Sequence, residues 1–166
     1  MAHITLGGTP TETSGDLPKQ DSKLSNFSLT ASDLSTKQLS DYDGYKKVLN
    51  IFPSVDTGVC ATSARKFNEE ASKLNNTKVF CISRDLPFAQ ARFCAAEGLE
   101  NVEMLSDFKE GTFGKDNGLE ITDGAFEGLH SRVVIVLDEH NKVIHTEQVP
   151  EIGQEPDYAS ALKVLQ

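Results

Sequence analysis

Three cysteines, Cys60, Cys81 and Cys94, supply the strongest potential nucleophiles in this 166-residue chain. Cys60 follows the apolar run Val48-Leu49-Asn50-Ile51-Phe52, which stops at Pro53, and it opens a helical pattern beginning near Gly58. A thiol is thereby carried on the first turn of a helix, just past the end of a strand. The thiolate is the nucleophile, and a free cysteine with a pKa of about 8.5 is only about 3% ionised at pH 7. Lowering such a pKa to about 6 takes about 3.4 kcal/mol of preferential stabilisation of the anion. A helix N-terminus supplies about 0.3 to 1 kcal/mol, and about 2 in favourable partly buried sites. The helix alone falls short. Thr57 is placed to cap the helix with its hydroxyl and to offer that hydroxyl to the sulfur or to a bound oxygen. Asp56 works in the opposite sense, so a cation has to come from elsewhere in the fold.

The P-x-x-x-T-x-x-C spacing of Pro53, Thr57 and Cys60 resembles the peroxidatic site of the peroxiredoxin family. The surrounding residues are similar to its bacterial thiol peroxidase (Tpx) subfamily, of the atypical two-cysteine type. The likeness extends to Cys81-Ile82-Ser83, Asp85-Leu86-Pro87-Phe88-Ala89-Gln90, Arg92-Phe93-Cys94, Glu97-Gly98, Arg132 and Glu155-Pro156-Asp157-Tyr158, and so covers nearly the whole chain. The resemblance implies an antioxidant peroxidase acting on hydrogen peroxide and on alkyl or lipid hydroperoxides. In that reading Cys60 is the peroxidatic nucleophile and Pro53 shields it from water. Cys94 is the resolving thiol, an intramolecular Cys60–Cys94 disulfide forms, and a thioredoxin-type reductant returns it to the dithiol. A homodimer is implied, and the chemistry needs no metal or organic cofactor.

Composition bounds the alternatives. The length suits one domain over residues 1–166, able to bury an ordinary core without disulfide staples. A formal net charge of -9 argues against nucleic acid or an anionic membrane as a general partner. An odd number of cysteines with no C-x-x-C is not a secreted disulfide framework. The opening residues carry neither a basic region nor a long apolar run, and the expected location is the cytoplasm. His3, His130, His140 and His145 show no metal-ligand spacing.

The elements that must position Cys60 follow from pattern. Residues 3 to 13, broken by Gly7-Gly8, predict a short hairpin, and residues 27 to 30 a strand; packing and edge covering are the expected roles of this first quarter. A strand near 47 to 52, a helix near 58 to 74 and a strand near 78 to 83 make a βαβ unit with parallel strands and a right-handed crossover. Pro87 opens a helix running to about Glu97 that carries Cys94. Residues 101 to 105 predict a short strand and 109 to 117 a short helix. Residues 131 to 138 form the clearest strand, joined through a hairpin loop to a strand at 142 to 149, and Pro156 opens a last helix over about 157 to 165. This is a thioredoxin-like α/β arrangement: a central mixed sheet flanked by helices, with an N-terminal β-hairpin extension.

That topology supplies a cation. The strand over 132 to 138 runs antiparallel to the one over 47 to 52, so Arg132 lies at the edge where Cys60 begins its helix. Arg84, at the end of the other parallel strand, reaches the same edge and rivals it on geometry; the family resemblance favours Arg132. Cys81, inside an apolar strand, is expected in the core. Phe88 and Phe93 are expected in the core or lining an apolar mouth for bulky hydroperoxides. Two further classes share the fold. A thiol-disulfide oxidoreductase would need C-x-x-C and a proline at position 131, where this chain has Ser131, and a non-catalytic binding module would tolerate loss of either cysteine.

Overall fold

The central strands of the sheet are buried at nearly every position, because both of its faces are covered there. The computed structural model describes residues 1–166. In chain order the strands are β1 (His3–Leu6), β2 (Thr9–Glu12), β3 (Ser28–Ala31), β4 (Thr36–Gln38), β5 (Lys46–Ile51), β6 (Thr77–Ser83), β7 (Glu103–Ser106), β8 (Val133–Leu137) and β9 (Val143–Gln148). The helices are α1 (Gly58–Ala71), α2 (Pro87–Glu97), α3 (Thr112–Asp116) and α4 (Tyr158–Lys163), with a 3-10 turn at Leu39–Tyr42. Seven strands form one sheet in the order β4-β3-β7-β6-β5-β8-β9, and β1 and β2 pair separately as the N-terminal hairpin. β5, β6 and β7 are mutually parallel, while β8 lies antiparallel to β5. The fold is thioredoxin-like.

Side-chain alternation divides the core into two layers. Leu49, Ile51, Phe80, Ile82, Val133, Ile135 and Leu137 face one way, with Phe27, Leu39 and Phe113 against them. Val48, Val79, Cys81, Val134 and Val136 face the other way, and α1 and α4 cover them with Cys60, Ala64, Phe67, Ala161 and Leu165. Each large apolar side chain so buried contributes about 1.5 to 3 kcal/mol relative to exposure. In α1 the buried positions are Cys60, Ser63, Ala64 and Phe67, the three-and-four spacing of one helical face. The Cys60 sulfur is therefore part of the stripe that docks its own helix.

The structure refines several sequence expectations. α1 ends at Ala71 and α4 spans only Tyr158–Lys163. Arg132 precedes β8 rather than opening it. The strand β4 and the 3-10 turn have no apolar periodicity to announce them, since Thr36–Gln38 is wholly polar and survives by pairing with β3. Phe88 is not core: it is 66% exposed, because α2 buries only Pro87 and Gln90. Phe93 is half-buried against the layer that holds Cys60.

Candidate active site

Cys60 is the third residue of α1 and fully buried. Its Sγ accepts a hydrogen bond from Thr57 Oγ1 at 2.6 Å and another from Arg132 Nη1 at 3.4 Å. Thr57 occupies the helix N-cap position, yet its hydroxyl caps no amide; its other partner is the Ser54 carbonyl at 3.1 Å. The expected double role of Thr57 is thus corrected to one. A hydroxyl three residues before the sulfur is already committed to it, and a missing cap costs a helix about 1 kcal/mol. The first turn of α1 is correspondingly easier to unwind. Pro53 is buried at the start of the loop.

Arg132 is 2% exposed and supplies the cation that the helix lacks. At 3.4 Å and an effective dielectric of about 20, a guanidinium attracts a thiolate by about 5 kcal/mol, more than the helix terminus contributes. That attraction works against the several kcal/mol that burying each ion costs. Arg132 Nε donates to the Ile152 carbonyl at 2.7 Å, so the planar group is held from two sides. Arg84 is elsewhere: its guanidinium donates to the carbonyls of Asp107, Phe108 and Gly128. Strand parity separates the two. Arg132 continues the face of Val134 and Val136, which packs on α1, whereas Arg84 continues the face of Phe80 and Ile82, which packs on the opposite layer.

Asp56 is exposed, with the Arg92 guanidinium 4.0 Å away, an ion pair too solvated to contribute much. All three cysteines are free thiols. Cys81 is fully buried, and that burial pushes its thiol up to about 12, so it is inert at neutral pH. Cys94 lies in the last turns of α2, half-buried, and donates its proton to the Leu99 carbonyl at 2.9 Å. Burial pushes the Cys94 thiol up from its ordinary value. Cys94 packs against the same apolar layer as Cys60, and Arg65 of α1 pairs with Glu97 of α2 at 2.8 Å, bracing the two helices together. No group of three or more His, Cys, Asp or Glu side chains is placed to hold a metal ion, and no helix is long and apolar enough to cross a membrane.

One residue was given no role in the sequence reading. The Asp85 carboxylate accepts from Ser54 Oγ at 2.8 Å, the Val55 amide at 2.8 Å and Ser83 Oγ at 2.6 Å. It thereby fastens the loop between Pro53 and Thr57 to the end of β6. Spacing within the sequence could not reveal this, because the loop donors Ser54 and Val55 are about thirty residues from the acceptor. Replacing Asp85 by Ala should slow oxidation of Cys60 by peroxide about tenfold by releasing the loop that carries Thr57. Stopped-flow measurement with stoichiometric peroxide checks this, and Asp85→Asn should recover part of the loss, because its amide oxygen still accepts.

The chain is similar to known proteins over nearly its whole length. A family model described as Redoxin matches residues 19–162. A thiol peroxidase of Corynebacterium glutamicum is 53% identical over 165 residues, covering 99% of each chain. The crystal structure of a peroxiredoxin-like protein from Aquifex aeolicus superposes with a TM-score of 0.93 at 32% identity, over 99% of this chain and 96% of that one. A thiol peroxidase from Chromobacterium violaceum shares the fold, with a TM-score of 0.92 at 24% identity over 100% of this chain and 96% of its own.

Proposed function

The chain belongs to the peroxiredoxin family, in its thiol peroxidase subfamily, and from that premise we propose that Cys60 is the nucleophile and Cys94 the resolving thiol of its catalytic cycle. It is a thiol-dependent peroxidase, an oxidoreductase that reduces peroxides through cysteine chemistry. The observation that carries the site reading is the convergence of Thr57 Oγ1 and Arg132 Nη1 on the buried Cys60 sulfur.

The Cys60 thiolate attacks the terminal oxygen of a hydroperoxide. An S–O bond forms as the O–O bond breaks, and the departing alkoxide or hydroxide takes up a proton to leave as alcohol or water. Charge moves from sulfur to the leaving oxygen, so donors already aimed at the sulfur are aimed near the developing oxyanion as well. Arg132 offers several N–H groups in a rigid plane, and Thr57 one hydroxyl. Pro53 shields the sulfur at the start of the loop. Cys94 then attacks the sulfenic sulfur and water leaves, forming an intramolecular Cys60–Cys94 disulfide before further oxidation can occur. Both cysteines sit near helix ends, the first turn of α1 and the last turns of α2, so the rearrangement unwinds ends rather than middles. Alkyl and lipid hydroperoxides are proposed substrates beside hydrogen peroxide. The disulfide is reopened by a thioredoxin-type dithiol through a mixed disulfide. We place this cycle in the cytoplasm, in a homodimer of chains that each fold residues 1–166 as one domain.

Mass measurement after one equivalent of peroxide, with the cross-linked peptide identified, tests the reading. A Cys60–Cys94 link is expected; a link through Cys81, or none, would overturn it. The pH dependence separates the second step. Burial disfavours the Cys94 anion, so near neutrality the reactive form is scarcer than in a free thiol, and each pH unit raises it about tenfold until the thiol titrates. Disulfide formation from the sulfenic acid should therefore accelerate steadily from pH 7 to about 9. A rate that levels off at about pH 8.5, where an ordinary thiol titrates, would mean that Cys94 leaves its buried setting before it ionises.

A further inference from the structure

We propose that the N-terminal hairpin, through the carboxylate of Glu151, positions Arg132 for the reaction at Cys60. The inference rests on the role given to Arg132 above. Gly7 and Gly8 close the β1–β2 hairpin with φ of +58° and +84°, which fits a two-residue turn with both central residues left-handed. That conformation aims both amides outward, and both find Glu151: Gly7 donates to Oε2 at 3.1 Å and Gly8 to Oε1 at 2.8 Å. Thr5 Oγ1 donates to Oε1 at 2.9 Å, and the Gly153 amide to Oε2 at 2.8 Å. Each carboxylate oxygen is thus used twice.

The backbone repeats the connection. The Thr5 amide donates to the Pro150 carbonyl at 2.8 Å, and the Ile152 amide donates to the Thr5 carbonyl at 2.8 Å. β1 therefore takes residues 150 to 152 as a short third strand, joined in parallel at Thr5 and Glu151. Ile152 packs its side chain with Ile4 of β1 and with Ile121. What remains of Ile152 is its carbonyl, and that carbonyl accepts from Arg132 Nε. The Arg132 side chain makes two hydrogen bonds, this one and the one to Cys60 Sγ. A guanidinium is planar, so fixing Nε fixes where Nη1 can lie. The hairpin thus holds the one hydrogen-bond acceptor that the guanidinium has besides the sulfur.

The amides of Gly153 and Gly8, with the Thr5 hydroxyl and the Gly7 amide, hold the Glu151 carboxyl down at about 2. The clamp is consequently ionised and intact at every pH at which the thiol chemistry runs. Its contribution is present above the usual carboxylate range and is lost only in strong acid.

A double-mutant cycle tests the proposal. Glu151→Ala, Arg132→Ala and the double variant are compared by stopped-flow oxidation of Cys60 with hydrogen peroxide, with the urea midpoint recorded for each. Glu151→Ala should slow the reaction about tenfold, as a displaced donor does, and should have no further effect in the Arg132→Ala background. Glu151→Gln, whose single amide oxygen still serves part of the donor set, should fall between the parent and Glu151→Ala; it takes the place of Glu151→Ala in the cycle if that variant is not recovered folded. An undiminished rate in Glu151→Ala while Arg132→Ala is slow would overturn the proposal alone. A tenfold loss that persists without Arg132 would also overturn it, since Glu151 would then act by general loosening. If Arg132→Ala is itself as fast as the parent, the role of Arg132 fails and the hairpin's role fails with it.

Discussion

With Cys60 replaced by serine, peroxide reduction should fall by at least about ten-thousandfold, as when an enzyme loses its nucleophile. A serine hydroxyl in the same place would still meet Thr57 Oγ1 and Arg132 Nη1, so the donors survive and only the reacting atom changes. Neither remaining thiol can substitute. Cys81 is sealed in the sheet with its thiol pushed up to about 12 by burial, and the Cys94 thiol keeps its proton, donating it in a hydrogen bond to the Leu99 carbonyl. Cys94→Ser is the necessary counterpart. It should leave the first oxidation of Cys60 within about twofold of the parent, since Cys94 is not a partner of the sulfur, but it should stop turnover driven by a thioredoxin-type reductant. The sulfenic acid, with no thiol to condense with, should then advance to the sulfinic level under excess peroxide, which intact-protein mass detects. Sustained turnover by Cys94→Ser would remove Cys94 from the cycle.

Replacing Arg132 by alanine should slow oxidation of Cys60 about a hundred- to a thousandfold, the usual effect of removing one preorganised donor from a site where charge develops. Two losses combine: the attraction that favours the anionic sulfur, and the aligned N–H that follows the charge to the leaving oxygen. Arg132→Lys tells them apart. Lysine restores the charge but replaces the two nitrogens that a rigid plane holds against the Ile152 carbonyl and the sulfur with a single rotatable ammonium. The lysine variant should therefore recover only a small part of the rate. Full recovery would show that charge alone matters and that the planar geometry does not. The urea midpoint should be read alongside, because the buried Ile152 carbonyl loses its side-chain partner in the alanine variant.

Much of the fold was legible because its signals are local. The run from Val48 to Phe52 ending at Pro53, the pattern from Gly58, and Pro87 at the start of α2 each depend on neighbours within a few positions, and the elements lie where those signals put them. β4 and the 3-10 turn carried no such signal, and of the two places expected for Phe88 its exposure excludes the core; an aromatic on a helix does not say which side of it is covered. The first quarter was expected to pack and cover. It does, through Ile4 and Phe27, but its turn also grips Glu151.

The sequence by itself determined that a thiol stands on the first turn of a helix past a strand end, with a second thiol near the end of the next helix. Those placements follow from hydrophobic period and from helix start and stop residues, which are properties of adjacent side chains. Only the tertiary structure decided which arginine meets the sulfur, that the Thr57 hydroxyl meets the sulfur rather than a helix amide, and that Asp85 and Glu151 secure the surroundings. The reason is register. Pairing of Ile51 with Val133 brings Arg132 level with the strand end, and alternation turns it toward α1 while turning Arg84 away. Electrostatic and hydrogen-bond contacts act over a few ångströms in space, and residues 72 positions apart come that close only once the strands have paired.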